Sequence, residues 1–169
     1  MNKALFIFDL DGVIYRGNTA VPYAAEAVDR LRSAGIKIHF LTNNASQTRE
    51  SFVAKLSGMG IPSTVDEVMN SSYATALWFK EHGHLGKSVL IVGEPGCYEL
   101  LRREGMDVLE PLEDRHADFV VVGIDRQFNY EKLKWAQQAI LKGATFIATN
   151  RDPTYPLEGR VIPGGGSIV

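Results

Sequence analysis

The sequence has few of the residues that build disulfide frameworks, zinc sites or membrane spans. Cys97 is its single cysteine, which excludes a disulfide within the chain and is typical of a protein in a reducing compartment. Its four histidines show none of the spacings of zinc sites. It has no signal-peptide pattern and no apolar run long enough to span a bilayer. We therefore expect a cytoplasmic protein.

An excess of charge of one sign is also lacking. Eighteen Lys and Arg residues stand against twenty Asp and Glu, and the net charge is -2. Without a basic block, nothing favours a nucleic acid or an anionic membrane as the partner. The 169 residues are 45% apolar, which is enough to form the core of one domain or of two small lobes. We expect the partner to be a small molecule.

Strand-like and helix-like segments alternate along the chain. Residues 4–8 form a short continuous apolar run, typical of a strand covered on both faces. Residues 23–34 then take a helical period between Pro22 and Gly35. Further strands are expected at residues 36–41, 89–92, 119–122 and 146–148. Apolar residues at helical spacing predict four further helices. They carry Phe52, Leu56 and Met59; Ala74, Leu77 and Trp78; Cys97, Leu100 and Leu101; and Tyr130, Leu133, Ala136 and Ile140, the last helix capped by Asn129.

This alternation predicts an α/β protein with parallel sheets and right-handed crossovers. The pattern divides near residue 72 into two lobes. The terminal glycine-rich stretch, residues 161–167, is expected to be a flexible connection, because it lacks the Gly-Lys-Ser/Thr ending of a P-loop.

Two carboxylates stand at the end of the first predicted strand, in the string IFDLDGVIY. Asp9 and Asp11 are two residues apart, so an extended chain directs both to one face. A lone Asp-x-Asp is commonly a solvated turn or a helix cap. Here an apolar strand precedes the pair and Gly12 follows it, which favours a cation site or a catalytic pair.

A second polar group follows the next predicted strand, at Thr42, Asn43 and Asn44. The carboxyl ends of parallel strands meet at one sheet edge, where ligands bind in open α/β folds. Carboxylates suit a hard cation, while a hydroxyl and backbone N–H groups suit phosphoryl oxygens. The combination predicts a magnesium-bound phosphate. The alternative is a strand-end turn in which Asn44 or Ser46 caps the next helix.

Several ordered motifs resemble the haloacid dehalogenase superfamily of phosphatases. FDLDGVIY is similar to the nucleophile motif of that superfamily, and FLTNNAS to its second motif. The resemblance covers nearly the entire chain. Within the superfamily, the chain most resembles the class IIA branch, which contains NagD-type nucleotidases and the 4-nitrophenyl, phosphoglycolate and pyridoxal phosphatases. The resemblance to this branch is carried by four further motifs: VPYAAEAVDRLRSAG, VGIDRQFNYEKL, ATNRDPTYP and IPGGGS.

The resemblance implies part of a Rossmann-like core in residues 1–72, an inserted α/β cap in residues 73–159 and a return segment in residues 160–169. It also implies an Mg²⁺-dependent hydrolysis of a small phosphorylated substrate. Asp9 would attack phosphorus to form an aspartyl phosphate, and Asp11 would protonate the leaving group. Both would hold the metal, Asp11 also through its backbone carbonyl.

The same resemblance assigns substrate contacts around this pair. Thr42 and Asn43 would bind the phosphoryl group, with Asn44 beside them. In the cap, Asp125 and Arg126 are candidates for contact with the leaving group, with salt bridging as the alternative.

FIATNRDP at residues 146–153 echoes HFLTNNAS. Thr42 is preferred over the second copy's threonine because it follows the strand nearest in the chain to Asp9. Asn150 and Asp152 are read as cap residues that face the substrate or connect to the core. The cap is also a possible homodimer surface.

The superfamily's third and fourth motifs, a lysine and a metal-binding aspartate, have no counterpart in this sequence. Three hypotheses follow. The chain is the N-terminal portion of a phosphatase, or it is a catalytically incomplete binding or regulatory module, or it belongs to a phosphotransferase relative.

Overall fold

Parallel pairing of short apolar strands organises the chain. The structure, a computed structural model, describes residues 4–110, 116–157 and 159–169. It contains two units: the first takes the described residues within 1–42, 49–70 and 155–162, and the second those within 43–48, 71–154 and 163–169. The three-part division expected from the sequence stays a prediction.

The first unit is built on a three-stranded parallel sheet in the order β1-β4-β5. Phe6 lies opposite Ile38 and Asp9 opposite Leu41. The two strands therefore end at the same edge of the sheet, and the polar residues at their ends lie at that edge. The elements are β1 (Leu5–Asp9), β2 (Tyr15–Arg16), β3 (Thr19–Ala20), α1 (Ala24–Ser33), β4 (Lys37–Thr42), α2 (Arg49–Gly58) and β5 (Val68–Asn70).

One apolar core holds the first unit together. Leu10, Phe40, Phe52 and Leu56 are almost fully buried in it, and burial of such a side chain stabilises the fold by about 1.5 to 3 kcal/mol. β1 is different: its Leu5, Phe6 and Ile7 are 52%, 44% and 60% exposed. Among the described strands, β1 is an edge of its sheet. The prediction that both faces of this strand are covered is therefore not met in this chain.

The second unit contains a four-stranded parallel sheet whose strands lie in the order β7 (Asp107–Leu109), β6 (Ser88–Val92), β8 (Phe119–Val122), β9 (Thr145–Ala148). Side chains on the two faces of β8 enter separate apolar clusters, Val121 in one and Val120 in the other, and all four residues of β8 are buried. The α/β class with parallel sheets is confirmed. The elements are α3 (Ser71–Glu81), β6 (Ser88–Val92), α4 (Pro95–Arg103), β7 (Asp107–Leu109), β8 (Phe119–Val122), α5 (Tyr130–Leu141) and β9 (Thr145–Ala148).

The helix α5 forms where predicted, but its apolar residues are only partly buried. Asn129 does cap the helix, since its side chain accepts a hydrogen bond from the Lys132 backbone N–H at 3.0 Å. However, Tyr130 is 75% exposed, whereas Ala136 and Ala139 are buried. The two alanines pack in one apolar cluster with residues of β8, while the larger apolar residues of α5 face solvent more.

The helix α3 also forms where predicted, and polar residues take buried positions on it. Ser72 and Thr75 are buried there. Their hydroxyls donate to the Ala45 carbonyl at 3.1 Å and to the Ser71 carbonyl at 2.8 Å. Hydroxyls with such partners can be buried at little cost, while Trp78 remains 37% exposed.

Two further strands occupy the end of the chain. β10 (Thr154–Leu157) pairs with β11 (Arg160–Pro163), and a 3₁₀ turn follows at Gly165–Ser167. The sequence reading gave no strands in this region. None of the helices in the described part of the chain has the length and apolar character that a membrane crossing needs.

Candidate active site

Asp9 and Asp11 lie on either side of the point where β1 ends and the chain turns. Asp9 is the last residue of β1 and is exposed, and its Oδ1 accepts a hydrogen bond from the Leu10 backbone N–H at 2.8 Å. Leu10 is fully buried between them. The buried leucine anchors the turn, so both carboxylates stay at the sheet edge.

The turn is closed by backbone hydrogen bonds within residues 10–15, which we call the Asp11 loop. The Gly12 N–H donates to the Tyr15 carbonyl at 2.7 Å, and the Tyr15 N–H donates to the Leu10 carbonyl at 3.1 Å. Gly12 has a φ of 86°, in the left-handed region that glycine adopts without strain. The glycine after the second aspartate is therefore required by the shape of this loop.

Thr42 joins Asp11 from the neighbouring strand, as predicted from the edge rule for parallel sheets. It ends β4, is 2% exposed, and its Oγ1 donates to Asp11 Oδ2 at 3.5 Å. The structure thus brings Asp11 and Thr42 together beside Asp9. Asn43 and Asn44 belong to the second unit.

Lys55 is a charged neighbour that the sequence reading missed. It is half-buried on α2, and its Nζ lies 3.6 Å from the centroid of the Tyr15 ring. Tyr15 is fully buried, and its hydroxyl has no hydrogen-bond partner among the described residues. Burial and the charges of Asp11 and Asp9 raise the pKa of Tyr15. Lys55 stands forty residues from Tyr15, and no motif marks it.

Opposing effects set the pKa of Asp11. Burial raises it most, and the negative charge of Asp9 raises it further, whereas the positive charge of Lys55 and the Thr42 hydroxyl lower it. The net direction is upward. Burial in turn lowers the pKa of Lys55, and the Asp11 charge opposes that shift. A carboxyl with a raised pKa beside an exposed carboxylate is suited to hold a proton.

Asn43 and Asn44 make hydrogen bonds within the second unit. Asn43 Nδ2 donates to Asp152 Oδ2 at 2.6 Å, and Asn150 Oδ1 accepts from the Asp152 backbone N–H at 2.7 Å. These three predicted substrate-binding residues are therefore brought together. Asn44 Oδ1 accepts from the Ser46 backbone N–H at 2.9 Å, which agrees with the alternative reading of a strand-end turn.

Asp125 and Arg126 are engaged in ion pairs. Asp125 is 7% exposed and accepts from Lys132 Nζ at 2.5 Å, and Arg126 Nη1 contacts Glu94 Oε1 at 2.7 Å. Salt bridging was the alternative to substrate contact at both positions. The substrate role of these two residues stays a prediction.

The donors at the end of β1 fit a magnesium ion. Mg²⁺ sites in proteins commonly use one or two carboxylates, with water and substrate phosphate completing the shell. Asp9 and Asp11 are two carboxylates at this edge of the sheet, which is the number that such a site needs. Within residues 4–110, 116–157 and 159–169, no group of three or more His, Cys, Asp or Glu side chains could hold a metal ion.

Comparison with known sequences identifies relatives of this chain. The family model of haloacid dehalogenase-like hydrolases matches residues 6–107. An acid sugar phosphatase of Staphylococcus saprophyticus is 38% identical over 167 residues, which are 99% of this chain and 63% of the relative. One from Staphylococcus aureus is 37% identical over 163 residues, covering 96% of this chain and 61% of the relative. The chain thus spans about three fifths of the length of these curated relatives.

Solved structures match as well. A p-nitrophenyl phosphatase from Archaeoglobus fulgidus superposes with a TM-score of 0.88 at 35% identity, covering 99% of this chain and 63% of that one. The glycerol phosphate phosphatase of Mycobacterium tuberculosis, in complex with magnesium, gives a TM-score of 0.88 at 32% identity, covering 99% and 49%. Both share the fold described above.

Proposed function

This chain belongs to the haloacid dehalogenase-like hydrolases, and we propose that it is the N-terminal part of a longer phosphatase that hydrolyses a small phosphomonoester with Mg²⁺. The observation that carries the proposal is the exposed Asp9 carboxylate at the end of β1, with Asp11 and Thr42 hydrogen-bonded to each other beside it. This set provides a nucleophile, a proton donor and a phosphate ligand at one sheet edge.

Asp9 is the proposed nucleophile. Its carboxylate oxygen forms a bond to phosphorus while the bond from phosphorus to the ester oxygen breaks, and an aspartyl phosphate results. Water then attacks the same phosphorus, which releases phosphate and restores the carboxylate. The exposure of Asp9 supports this role, because an in-line attack needs an accessible oxygen.

Asp11 is the proposed general acid and base. It gives its proton to the departing ester oxygen in the first step and takes one from the attacking water in the second. Burial that raises the pKa of Asp11 supports the first step, since it favours the protonated form. Thr42, at 3.5 Å, restrains the carboxyl and offers its hydroxyl to a phosphoryl oxygen.

The remaining contacts follow from the family resemblance. Mg²⁺ would be held by Asp9 and Asp11 and would supply positive charge opposite the phosphoryl oxygens. Asn43 is proposed to stabilise charge on these oxygens, with Asn44 beside it. Asn150, Asp152, Asp125 and Arg126 are proposed contacts of the cap with the substrate.

The exposed apolar surface of β1 supports the proposal of a longer protein. Leu5, Phe6 and Ile7 are each at least 44% exposed, and an exposed apolar edge strand is an aggregation hazard that native proteins avoid. The relatives are longer than this chain. We propose that the C-terminal region of the longer protein covers β1 and contributes the missing lysine and aspartate.

The substrate class follows from the named relatives, which are called acid sugar phosphatase and glycerol phosphate phosphatase. A small phosphorylated metabolite, such as a sugar or polyol phosphate or a nucleotide, is the proposed substrate. Pairing of two copies through the cap and a cytoplasmic location remain further proposals.

The test is phosphate release from 4-nitrophenyl phosphate with Mg²⁺, measured on this chain and on a version extended at the C-terminus to the length of the relatives. Activity in the extended chain alone supports the proposal. Activity in neither version supports a binding or regulatory module, and turnover that requires an acceptor alcohol supports a phosphotransferase.

Two substitutions test the nucleophile. Asp9→Asn in the extended chain should abolish phosphate release, while Asp29→Asn, at an exposed position of α1, should leave it unchanged. Full activity of Asp9→Asn would refute the assignment of the nucleophile.

A further inference from the structure

Lys55 is held on the face of a buried tyrosine. Its Nζ lies 3.6 Å from the centroid of the Tyr15 ring, well within the distance of about 6 Å over which a cation is attracted to a ring face. Tyr15 is fully buried in the core of the first unit. The ammonium group and the ring therefore restrain each other's position.

The same tyrosine closes the Asp11 loop through its backbone. Its carbonyl accepts from the Gly12 N–H at 2.7 Å and its N–H donates to the Leu10 carbonyl at 3.1 Å. Asp11 and Tyr15 also form an isolated β-bridge. A force that keeps Tyr15 in place thus also fixes the backbone on either side of Asp11.

The charge of Lys55 acts on Asp11 directly as well. The negative charge of Asp9 also acts on Asp11, and the two carboxylates repel each other when both are ionised. The positive charge of Lys55 offsets this repulsion. The ammonium group is thus attracted to the Tyr15 ring and to the Asp11 carboxylate.

We infer that Lys55 is a positioning residue for Asp11, because it holds the Asp11 loop closed by packing on Tyr15. It differs from the lysine of the third motif, which this chain does not contain. The consequence for turnover rests on the function proposed above, whereas the effect on the loop does not.

Amide hydrogen exchange of this chain tests the effect on the loop. In Lys55→Met, the Gly12 and Tyr15 amides should exchange about tenfold faster than in the unmodified chain, because the cation–π and charge attractions are both lost. Lys55→Arg keeps both attractions and should exchange at the unmodified rate. Lys80→Met, at an exposed position of α3, is the matched control and should change nothing.

The amides of α1 separate a local effect from global destabilisation. If Lys55→Met accelerates the Gly12, Tyr15 and α1 amides equally, the residue only stabilises the fold and the inference is overturned. Unchanged exchange at Gly12 and Tyr15 overturns it as well. Lys55→Gln repeats the measurement with a polar side chain in case the Met variant does not fold, and the same local acceleration is expected.

Kinetics of the extended chain test the consequence for catalysis. Lys55→Met should lower kcat about tenfold with KM unchanged, because the proton donor is displaced and substrate binding is not; Lys55→Arg should restore kcat. A rise in KM alone would contradict a positioning role. If the unmodified extended chain does not turn over, the proposed function fails, and the exchange rates still decide whether Lys55 holds the loop.

Discussion

Truncation of an isoleucine on β1 tests whether a further part of the protein covers this strand. Ile7 keeps 60% of its surface exposed in this chain, so Ile7→Ala removes fewer than half of the contacts of a core residue. Truncation of a fully buried isoleucine costs about 2 to 5 kcal/mol, so we expect a loss of about 1 kcal/mol here. In the extended chain the same substitution should cost about 3 kcal/mol, because a covered Ile7 leaves a cavity.

Ile38→Ala is the matched control, since Ile38 is 2% exposed on the neighbouring strand β4. It should cost about 3 kcal/mol in both chains. The assay is urea unfolding with the free energy extrapolated to water, which is valid if the slope with denaturant is unchanged by the substitution. If Ile7→Ala costs the same in the short and the extended chain, β1 is not covered by the C-terminal region, and our reasoning is refuted.

Four further substitutions test the site and the fold. Without metal, Asp11→Asn should stabilise the chain increasingly as pH rises and should have no effect well below pH 3.8, the usual pKa of the group. The reason is that the folded chain binds the Asp11 proton more tightly than the unfolded chain, so ionisation of Asp11 destabilises the fold. Thermal unfolding at several pH values measures this effect, and a change in stability that is independent of pH would contradict the prediction. Asn129→Ala should cost about 1 kcal/mol of unfolding free energy through loss of the α5 cap, and an unchanged urea midpoint would contradict it. Gly96→Ala should lower the free energy of unfolding by about 1 to 3 kcal/mol, because a Cβ there would lie 2.4 Å from the Gln47 Cα. Gly58→Ala in α2, with open space around it, should raise the free energy of unfolding by up to about 1 kcal/mol. Equal urea midpoints for the two variants would rule out the steric argument.

The meeting of Asp11 and Thr42 could be predicted from the sequence, because it depends only on strand direction. Both residues follow short apolar strands, and in a parallel sheet the ends of adjacent strands share an edge. The contact of Lys55 with Tyr15 could not be predicted in this way. It depends on how α2 packs on the sheet and on the direction of one long side chain, and neither leaves a periodic signal.

The buried residues of two helices could not be predicted for a related reason. On α3, the buried positions include Ser72 and Thr75, and on α5 they are Ala136 and Ala139. A prediction from hydrophobic periodicity assumes that large apolar residues are buried and hydroxyls are exposed. Hydroxyls that donate to backbone carbonyls and alanines that allow close packing both break that assumption, and only tertiary contacts reveal them.

A continuous apolar run occurs in both β1 and β8, but the two strands differ in burial. β1 and β8 both read as continuous apolar runs typical of strands covered on both faces. In β8 all four residues are buried between two apolar clusters, whereas Leu5, Phe6 and Ile7 of β1 are largely exposed. Apolar side chains that remain in water contribute little to stability, so their presence on β1 is best explained by a covering segment. The exposed strand carries Asp9 at its end, so a segment that covered β1 would also stiffen the support of the proposed nucleophile.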